Sequence, residues 1–249
     1  MGWIILLLLL FAVTVAHFRT RSITRKKQSA IIIKYALFRA SLTSEARERY
    51  DDIALRFIDD MEWIGSDMAV AEEMKMMIAA SAAQLIWNLP DFSFDHFTRV
   101  VIHRGHFRSA RTAQMHIGET HPLAGDIIIS WRDLVFGYAH SHDAENVGLH
   151  ELAHALWFEN LFLNNRSDVW TDELIARWKS LAEEEIAAIK AGHSKLLSRY
   201  AGTNQAEFFA VAVEFFFERS SDFREKLPEL YACMAQLLQQ NPAATAVNA

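Results

Sequence analysis

The chain has very few of the residues that form disulfides or interrupt regular structure. Its 249 residues include one cysteine, four prolines and nine glycines, whereas 51% of them are hydrophobic. The single cysteine, Cys233, excludes an intrachain disulfide and leaves only one thiolate for metal binding. Scarce proline and glycine in so hydrophobic a chain indicate a compact, mainly helical protein with an ample core.

The sequence also lacks the basic stripes and short patterns that are typical of nucleic-acid-binding proteins. Its 25 basic residues are outnumbered by 31 acidic ones, which gives a formal net charge of −6. No zinc-finger or RNA-binding signature occurs in it. Nucleic acid is therefore not an expected partner.

One short segment has recognisable chemistry: His150-Glu151-Leu152-Ala153-His154. Residues four apart lie on the same face of a helix, so His150 and His154 can bind one zinc ion, each at about 2.0–2.1 Å. Glu151 lies one position further round, where it can reach a metal-bound water without binding the metal, as a general base should. The alternative is a surface helix with two chance histidines. The apolar flanking residues favour burial instead, and buried imidazoles need partners.

A catalytic zinc ion needs a third protein ligand and an open position for water. Glu207 and Glu214 lie seven residues apart on one face of a strongly apolar segment that Thr203 or Asn204 can cap. A carboxylate in such a setting needs a cation or strong hydrogen-bond donors. Spacing alone leaves either glutamate open as the ligand.

Three segments, residues 126–158, 200–219 and 227–231, resemble the Mlc titration factor A family of zinc-dependent peptidases. The family's Asn-x-x-x-His-Glu pattern is matched by Asn146 to Glu151, and its Ala-Glu-Phe-Phe-Ala-Val pattern by Ala206 to Val211. The catalytic domain of anthrax lethal factor is similar over the same two motifs, including a tyrosine seven residues before the liganding glutamate.

The resemblance implies that Glu207 is the third zinc ligand and that Tyr200 stands over the substrate. Glu214 and Asn146 would then support the site by contacting the ligands rather than the metal. Residues 155–158 are more apolar than those that usually follow the second histidine, which leaves the substrate preference open.

The resemblance also implies relatives that bind and sequester a transcriptional repressor. A protein-binding regulator whose zinc is mainly structural is therefore the alternative to a peptidase, and a membrane-anchored protease that clears misfolded peptides is a third reading. The expected partners are a peptide or protein substrate and, in the alternative, a transcriptional regulator. Whether the substrate is cut internally or from its amino end, as by an aminopeptidase, is left open.

The N-terminus contains an uncharged run from Trp3 to Phe18, which as a helix spans about 24 Å, against about 30 Å for the hydrocarbon core of a membrane. Basic residues follow the run and none precedes it, which by the positive-inside rule leaves the rest of the chain in the cytoplasm. We expect residues 1–18 to form a single-pass anchor in a bacterial cytoplasmic membrane, with residues 19–35 as a basic linker. A signal peptide cleaved after Ala16, or a cytoplasmic protein, are the alternatives.

The remaining patterns predict an α+β fold: a mainly helical, zincin-like domain over residues 36–242 with a small mixed sheet, and a flexible tail over residues 243–249. The chain is expected to become helical from Ser41, with Thr43 or Ser44 capping a helix that runs through Ala46 and on to Ile58, and a second helix is expected from Ala69 to Trp87. Strands are expected over Phe97–His103 and Asp126–Trp131.

Asp126–Trp131 is either an exposed edge that pairs with an extended peptide or an ordinary core strand. Residues 137–145 are expected to form the polar loop before the metal-binding helix. Six further histidines lie in or beside these connections and are expected to be solvated, with a second metal as the alternative for the last two: His103, His106, His116, His121, His140 and His142.

Overall fold

The computed structural model describes Trp3 and residues 37–90, 92–162, 169–194 and 196–245. The first half contains helices α1 (Leu37–Ala40), α2 (Ser44–Asp60) and α3 (Glu72–Ile86), with strand β1 (Glu62–Gly65) between α2 and α3. Five strands follow: β2 (Arg99–His103), β3 (Phe107–Arg108), β4 (Met115–His116), β5 (Gly118–His121) and β6 (Asp126–Ser130). The second half is helical: α4 (Trp131–Ala139), α5 (Val147–Phe162), α6 (Asp172–Lys190), α7 (Gln205–Glu218), α8 (Ser220–Lys226), α9 (Pro228–Leu238) and α10 (Pro242–Thr245).

The predicted α+β class is confirmed, since helices predominate and the sheet is small and mixed. Four strands lie in the order β1-β2-β6-β5. β1, β2 and β6 are parallel, and β5 runs antiparallel to β6. One face of this sheet is fully buried through Val100, Ile102, Ile127 and Ile129, and α5 packs against β5 and β6.

The two predicted early helices are present, with different ends. Thr43 caps α2 by accepting a hydrogen bond from the N–H of Ala46. α3 begins at Glu72 rather than at Ala69, because Ala71 is still extended. Acidic residues in the first turn, Glu72 and Glu73, favour the helix N-terminus at this later point.

The prediction of a loop over residues 137–145 is wrong for its first residues. Gly137 and Ala139 belong to α4, which Ser130 caps by accepting the N–H of Asp133. Gly137 lies within this helix, where its missing side chain serves helix packing. A Cβ there would lie 3.1 Å from the Cα of Asn146, so glycine lets α4 approach the start of α5.

The edge-strand hypothesis for Asp126–Trp131 is also wrong. β6 lies between β2 and β5 and is a core strand, and Trp131 begins α4. The strand at this end of the sheet is β5, which lies in the polar connection where no strand was expected. Side-chain periodicity indicates a strand but not which neighbours it pairs with.

Aromatic side chains join the helices behind the site. The rings of Trp157 in α5 and Phe209 in α7 have their centroids 4.9 Å apart. Trp178 of α6 meets Phe209 edge-on at 5.5 Å. Phe208, Phe209 and Phe216 are fully buried, and each contributes about 1.5–3 kcal/mol of burial free energy. α5 and α7 are therefore held firmly side by side.

Within the described residues, no helix is both long and apolar enough to cross a lipid bilayer. The predicted anchor over residues 1–18 lies outside the described part of the chain apart from Trp3, as does the predicted linker over residues 19–35. The predicted tail begins inside α10, where Ala243 is buried and donates its N–H to the Tyr231 hydroxyl at 3.0 Å.

Candidate metal centre

The helix with the two predicted histidine ligands, α5, is buried on most of its surface. Leu152, Ala153 and Leu156 have no exposed area. Its start is fixed by Asn146, whose Oδ1 accepts the N–H of Leu149 at 3.1 Å. A helix that is apolar nearly all round belongs in a core. The imidazoles of His150 and His154 accordingly retain only 12% and 16% of their exposure.

Helix α7 brings a carboxylate to these histidines. Asn204 caps it, because its Oδ1 accepts the N–H groups of Ala206 at 2.9 Å and Glu207 at 3.0 Å. Thr203, the other expected cap, instead donates its hydroxyl to the carbonyl oxygen of Tyr200. Glu207 thus stands in the first turn of α7, facing α5.

Three side-chain atoms converge on one point between α5 and α7. His150 Nε2 lies 3.2 Å from His154 Nε2, and Glu207 Oε2 lies 3.3 Å and 3.4 Å from these two nitrogens. Ligand atoms about 2.0–2.1 Å from a tetrahedral zinc ion are themselves about 3.3 Å apart. Glu207 Oε2 is buried without a well-directed hydrogen bond, a deficit that a cation would remove. Two imidazoles and one carboxylate in this geometry fit zinc.

The charges of the cluster are strongly coupled. Burial lowers the pKa of His150, but the adjacent carboxylates of Glu207 and Glu214 outweigh burial and hold that pKa well above its ordinary value. Burial raises the pKa of Glu207, but the adjacent imidazoles of His150 and His154 have the larger effect and hold the pKa of Glu207 far below its usual range. The proton on His150 thus stands where a metal's positive charge would be, and metal binding would displace it.

Glu214 is the other glutamate that sequence spacing allowed as a metal ligand. It lies outside the cluster and contacts one of the histidines in it. Its Oε2 is 3.0 Å from His150 Nδ1, and its Oε1 accepts the N–H of Asn146 at 2.7 Å. A carboxylate on Nδ1 fixes the imidazole ring and turns Nε2 towards the metal position. Glu214 and Asn146 therefore contact a candidate ligand rather than the metal position itself.

Glu151 is buried next to the cluster, against the strand β5. The hydroxyl of Thr120 lies 2.8 Å from Glu151 Oε2 and 2.9 Å from its backbone oxygen. A Cβ at Gly118 would lie 2.4 Å from Glu151 Oε1, so only glycine lets β5 pass this close. Burial raises the pKa of Glu151, and the neighbouring imidazoles of His150 and His154 oppose that rise.

Tyr200 stands beside the cluster, just before α7, and is 55% exposed. Its ring centroid is 5.9 Å from that of His150, and its hydroxyl is close enough to Glu207 to be affected by the charge of that carboxylate. Burial and the charge of Glu207 both raise the pKa of this hydroxyl. Tyr200 thus keeps its proton at neutral pH and remains a hydrogen-bond donor beside the candidate ligands.

A sequence model of the glucose-regulated metallo-peptidase M90 family matches residues 14–239 of this chain. The chain belongs to this metallopeptidase family. Mlc titration factor A of Pectobacterium atrosepticum is 24% identical over 224 residues, which cover 82% of this chain and 83% of that protein. The family resemblance inferred from the motifs is therefore confirmed.

Two further relatives show how the similarity is distributed. An uncharacterised protein of Synechocystis sp. is 23% identical over 210 residues, covering 78% of this chain and 76% of its own. Mlc titration factor A of Escherichia coli is 30% identical over a shorter stretch of 128 residues, 47% of this chain and 46% of that protein. Membership of a metallopeptidase family implies a bound metal, which agrees with the convergent side chains of α5 and α7.

The other histidines named from the sequence have different partners. His106 contacts Asp133 at 3.2 Å, and His121 contacts Glu119 at 2.8 Å. His103 stacks on Phe107. The remaining three histidines form hydrogen bonds with nearby hydroxyl or carbonyl groups: His116, His140 and His142. In the part of the chain that the structure describes, His150, His154 and Glu207 are the one group of three suited to a metal.

Two residues beside the centre were not found from the sequence. Thr120 touches Glu151 from β5, a strand hidden in a polar connection. Glu218 accepts the N–H of Ala144 at 3.0 Å and the Nδ2 of Asn146 at 2.9 Å. The sequence does contain a signal for Glu218. It is the third glutamate on one face of an apolar helix, four residues after Glu214.

Proposed function

We propose that the protein is a zinc-dependent peptidase whose metal is held by His150, His154 and Glu207. The observation that supports this most is the convergence of their three ligand atoms at the spacing of a tetrahedral zinc site, with a further carboxylate, that of Glu151, beside them. When bound, zinc supplies a Lewis acid that lowers the pKa of a coordinated water to about 7. A structural zinc site would need no such additional carboxylate.

The chain's own residues account for the proton transfers of the reaction. Glu151 takes the proton of the attacking water and passes it to the leaving amine. Thr120 holds the Glu151 carboxylate in place. The Tyr200 hydroxyl donates to the oxyanion that develops at the scissile carbonyl, a contact that strengthens in the transition state. Glu214 keeps the ring of His150 oriented.

The strand β5 offers a site for the peptide backbone. It ends the sheet next to α5, and within the described strands it pairs only with β6. Gly118 and Thr120 of this strand both contact Glu151. An extended peptide that pairs with the open edge of β5 would therefore lie alongside the general base.

A peptide library with and without a chelator tests the proposal. We expect cleavage of at least one library member, its loss when zinc is removed, and its return when about one equivalent of zinc is added back. Cleavage that survives complete removal of the metal would contradict the mechanism. A zinc-loaded protein that cleaves no peptide would favour the second candidate function.

That second candidate is a regulator that sequesters a transcriptional repressor, with zinc mainly structural. It is favoured by the name of the relatives from Pectobacterium atrosepticum and Escherichia coli, Mlc titration factor A. The zinc-loaded Glu151→Gln protein distinguishes the two candidate functions. A regulator would keep its partner and its biological effect without this carboxylate, whereas a peptidase would lose its effect.

Tyr200→Phe tests the oxyanion role. The ring and its contact with His150 remain, but one hydrogen-bond donor is removed. Loss of one such donor lowers kcat by about 10²–10³-fold, while the zinc content should not change. Tyr231→Phe is the matched control, because it removes a hydroxyl that bonds Asn241 and does not touch the cluster. If Tyr200→Phe retains the kcat of the wild type, Tyr200 only packs against the site.

The membrane location inferred from the uncharged N-terminal run is a separate proposal. We expect the full chain to sediment with membranes and a chain of residues 28–249 to stay in the supernatant with its zinc, because no proposed ligand precedes residue 28. The measurement is the distribution of protein and zinc between pellet and supernatant. A mature N-terminus at His17 would instead indicate a cleaved signal peptide.

A further inference from the structure

The last residue of α7, Glu218, lies at the far end of the face that bears Glu207 and Glu214. Both of its carboxylate oxygens are used: Oε2 accepts the N–H of Ala144 at 3.0 Å, and Oε1 accepts the Nδ2 of Asn146 at 2.9 Å. Both donors lie in the turn immediately before α5, which begins at Val147. Glu218 therefore joins the end of one site helix to the start of the other.

The turn that Glu218 holds has an unusual backbone. Ala144 is buried and has a φ of 62°, a left-handed conformation that residues with a Cβ seldom adopt. Such a conformation persists only where surrounding contacts impose it. The hydrogen bond from Ala144 to Glu218 is one of these contacts.

Asn146 connects this turn to the ligand His150. With Nδ2 bound to Glu218, the amide must direct Oδ1 at the N–H of Leu149, which caps α5. The N–H of Asn146 binds Glu214, and its carbonyl oxygen accepts the N–H of His150 at 2.9 Å. The position of His150 thus depends on Asn146 through the helix backbone and through Glu214.

The charge of Glu218 is not explained by helix stability. A carboxylate at the C-terminus of a helix meets the negative end of the helix dipole. Burial, together with the nearby charges of Glu214 and Asp143, raises the pKa of Glu218 to about 7 against the opposing bonds from Asn146 and Ala144. A neutral residue would be better tolerated there if the position served α7 alone. Both partners of the carboxylate lie just before the start of α5, where the helix dipole favours an anion.

We propose that Glu218 is a positioning residue of the metal centre, which fixes the turn before α5 and the Asn146 amide and so sets the placement of His150. This inference rests on the proposed function only in taking His150, His154 and Glu207 as the metal ligands. It assigns Glu218 no contact with metal or substrate. Its consequence is a dependence of zinc affinity on a carboxylate that does not touch the ion.

The test is zinc affinity in full-length variants, measured by competition with a chelator and using the zinc ion alone as probe. Glu218→Ala removes both acceptors, and we expect a measurable loss of zinc affinity that is smaller than the roughly 10–100-fold typical of residues that bond a ligand directly, because Glu218 acts through Asn146. Glu218→Gln keeps one acceptor for two donors, so its affinity should lie between those of Glu218→Ala and the wild type. This milder variant also gives a result if the alanine variant does not fold.

A control variant separates positioning from general stability. Thr171→Ala removes a comparable cap, the bond from Leu174 N–H to Thr171 Oγ1, at the start of α6, which bears none of the site residues. It should lower the melting temperature of the zinc-free protein without changing zinc affinity. Equal zinc affinity in the wild type and both Glu218 variants would overturn the inference, as would an equal loss of affinity in Thr171→Ala.

Failure of this inference can be distinguished from failure of the proposed function. A protein that binds zinc with the expected order of variants, yet cleaves no peptide, supports the role of Glu218 and refutes the peptidase. A wild-type protein without any affinity for zinc refutes both.

Discussion

Glu151→Gln is expected to abolish peptide hydrolysis while leaving about one zinc ion bound. The amide has nearly the shape of the carboxylate but cannot accept the proton of the attacking water. A positioned general base contributes about 10²–10⁴-fold to rate, so kcat should fall at least that far. Zinc binding should persist, because Glu151 is bound by Thr120 on β5 and is not among the three converging ligand atoms.

Metal analysis and kinetics on the same preparation check this expectation. Glu145→Gln is the matched control, since it removes an exposed carboxylate just before the same helix and should leave kcat unchanged. If Glu151→Gln loses its zinc along with its activity, Glu151 is a metal ligand or a structural support. If the variant keeps the activity of the wild type, the proton acceptor is another group.

The centre of the site could be predicted from the sequence because it depends on local geometry. His150 and His154 are brought together by the helical repeat alone, and Glu151 follows from its position beside them. The apolar residues around them indicated burial, and the structure shows these two imidazoles mostly covered. The choice between Glu207 and Glu214 could not be made in this way, because both lie on the same face of α7. The family resemblance favoured Glu207, and the structure brings Glu207 to the two imidazoles.

The parts that were missed depend on long-range pairing. β5 is four residues long and polar on both faces, so its sequence resembles a loop until β6 pairs with it. Thr120 was missed with it, because its role exists only where β5 meets α5. Glu218 is visible in the sequence, but its partners Ala144 and Asn146 are more than 70 residues away along the chain. No local pattern could associate it with the turn before α5.

Glu207→Ala should weaken zinc binding far more than Glu214→Ala. Removal of Glu207 leaves two protein ligands where a catalytic zinc site needs three, so we expect a loss well above 100-fold. Removal of Glu214 leaves all three ligand atoms in place but frees the ring of His150 and deprives the N–H of Asn146 of its acceptor. Residues that orient a ligand in this way typically contribute about 10–100-fold to metal affinity.

Zinc affinity by chelator competition and the zinc-dependent rise in melting temperature both measure this difference. A ligand that binds only the folded state stabilises it by RT ln(1 + [zinc]/Kd), so the rise should nearly vanish in Glu207→Ala and shrink in Glu214→Ala. Glu229→Ala, which removes an exposed glutamate from α9, should retain the rise of the wild type. The reverse order for Glu207 and Glu214 would make Glu214 the ligand. The convergence of Glu207 with the imidazoles would then be a feature of the metal-free arrangement, in which a protonated His150 attracts the nearest carboxylate.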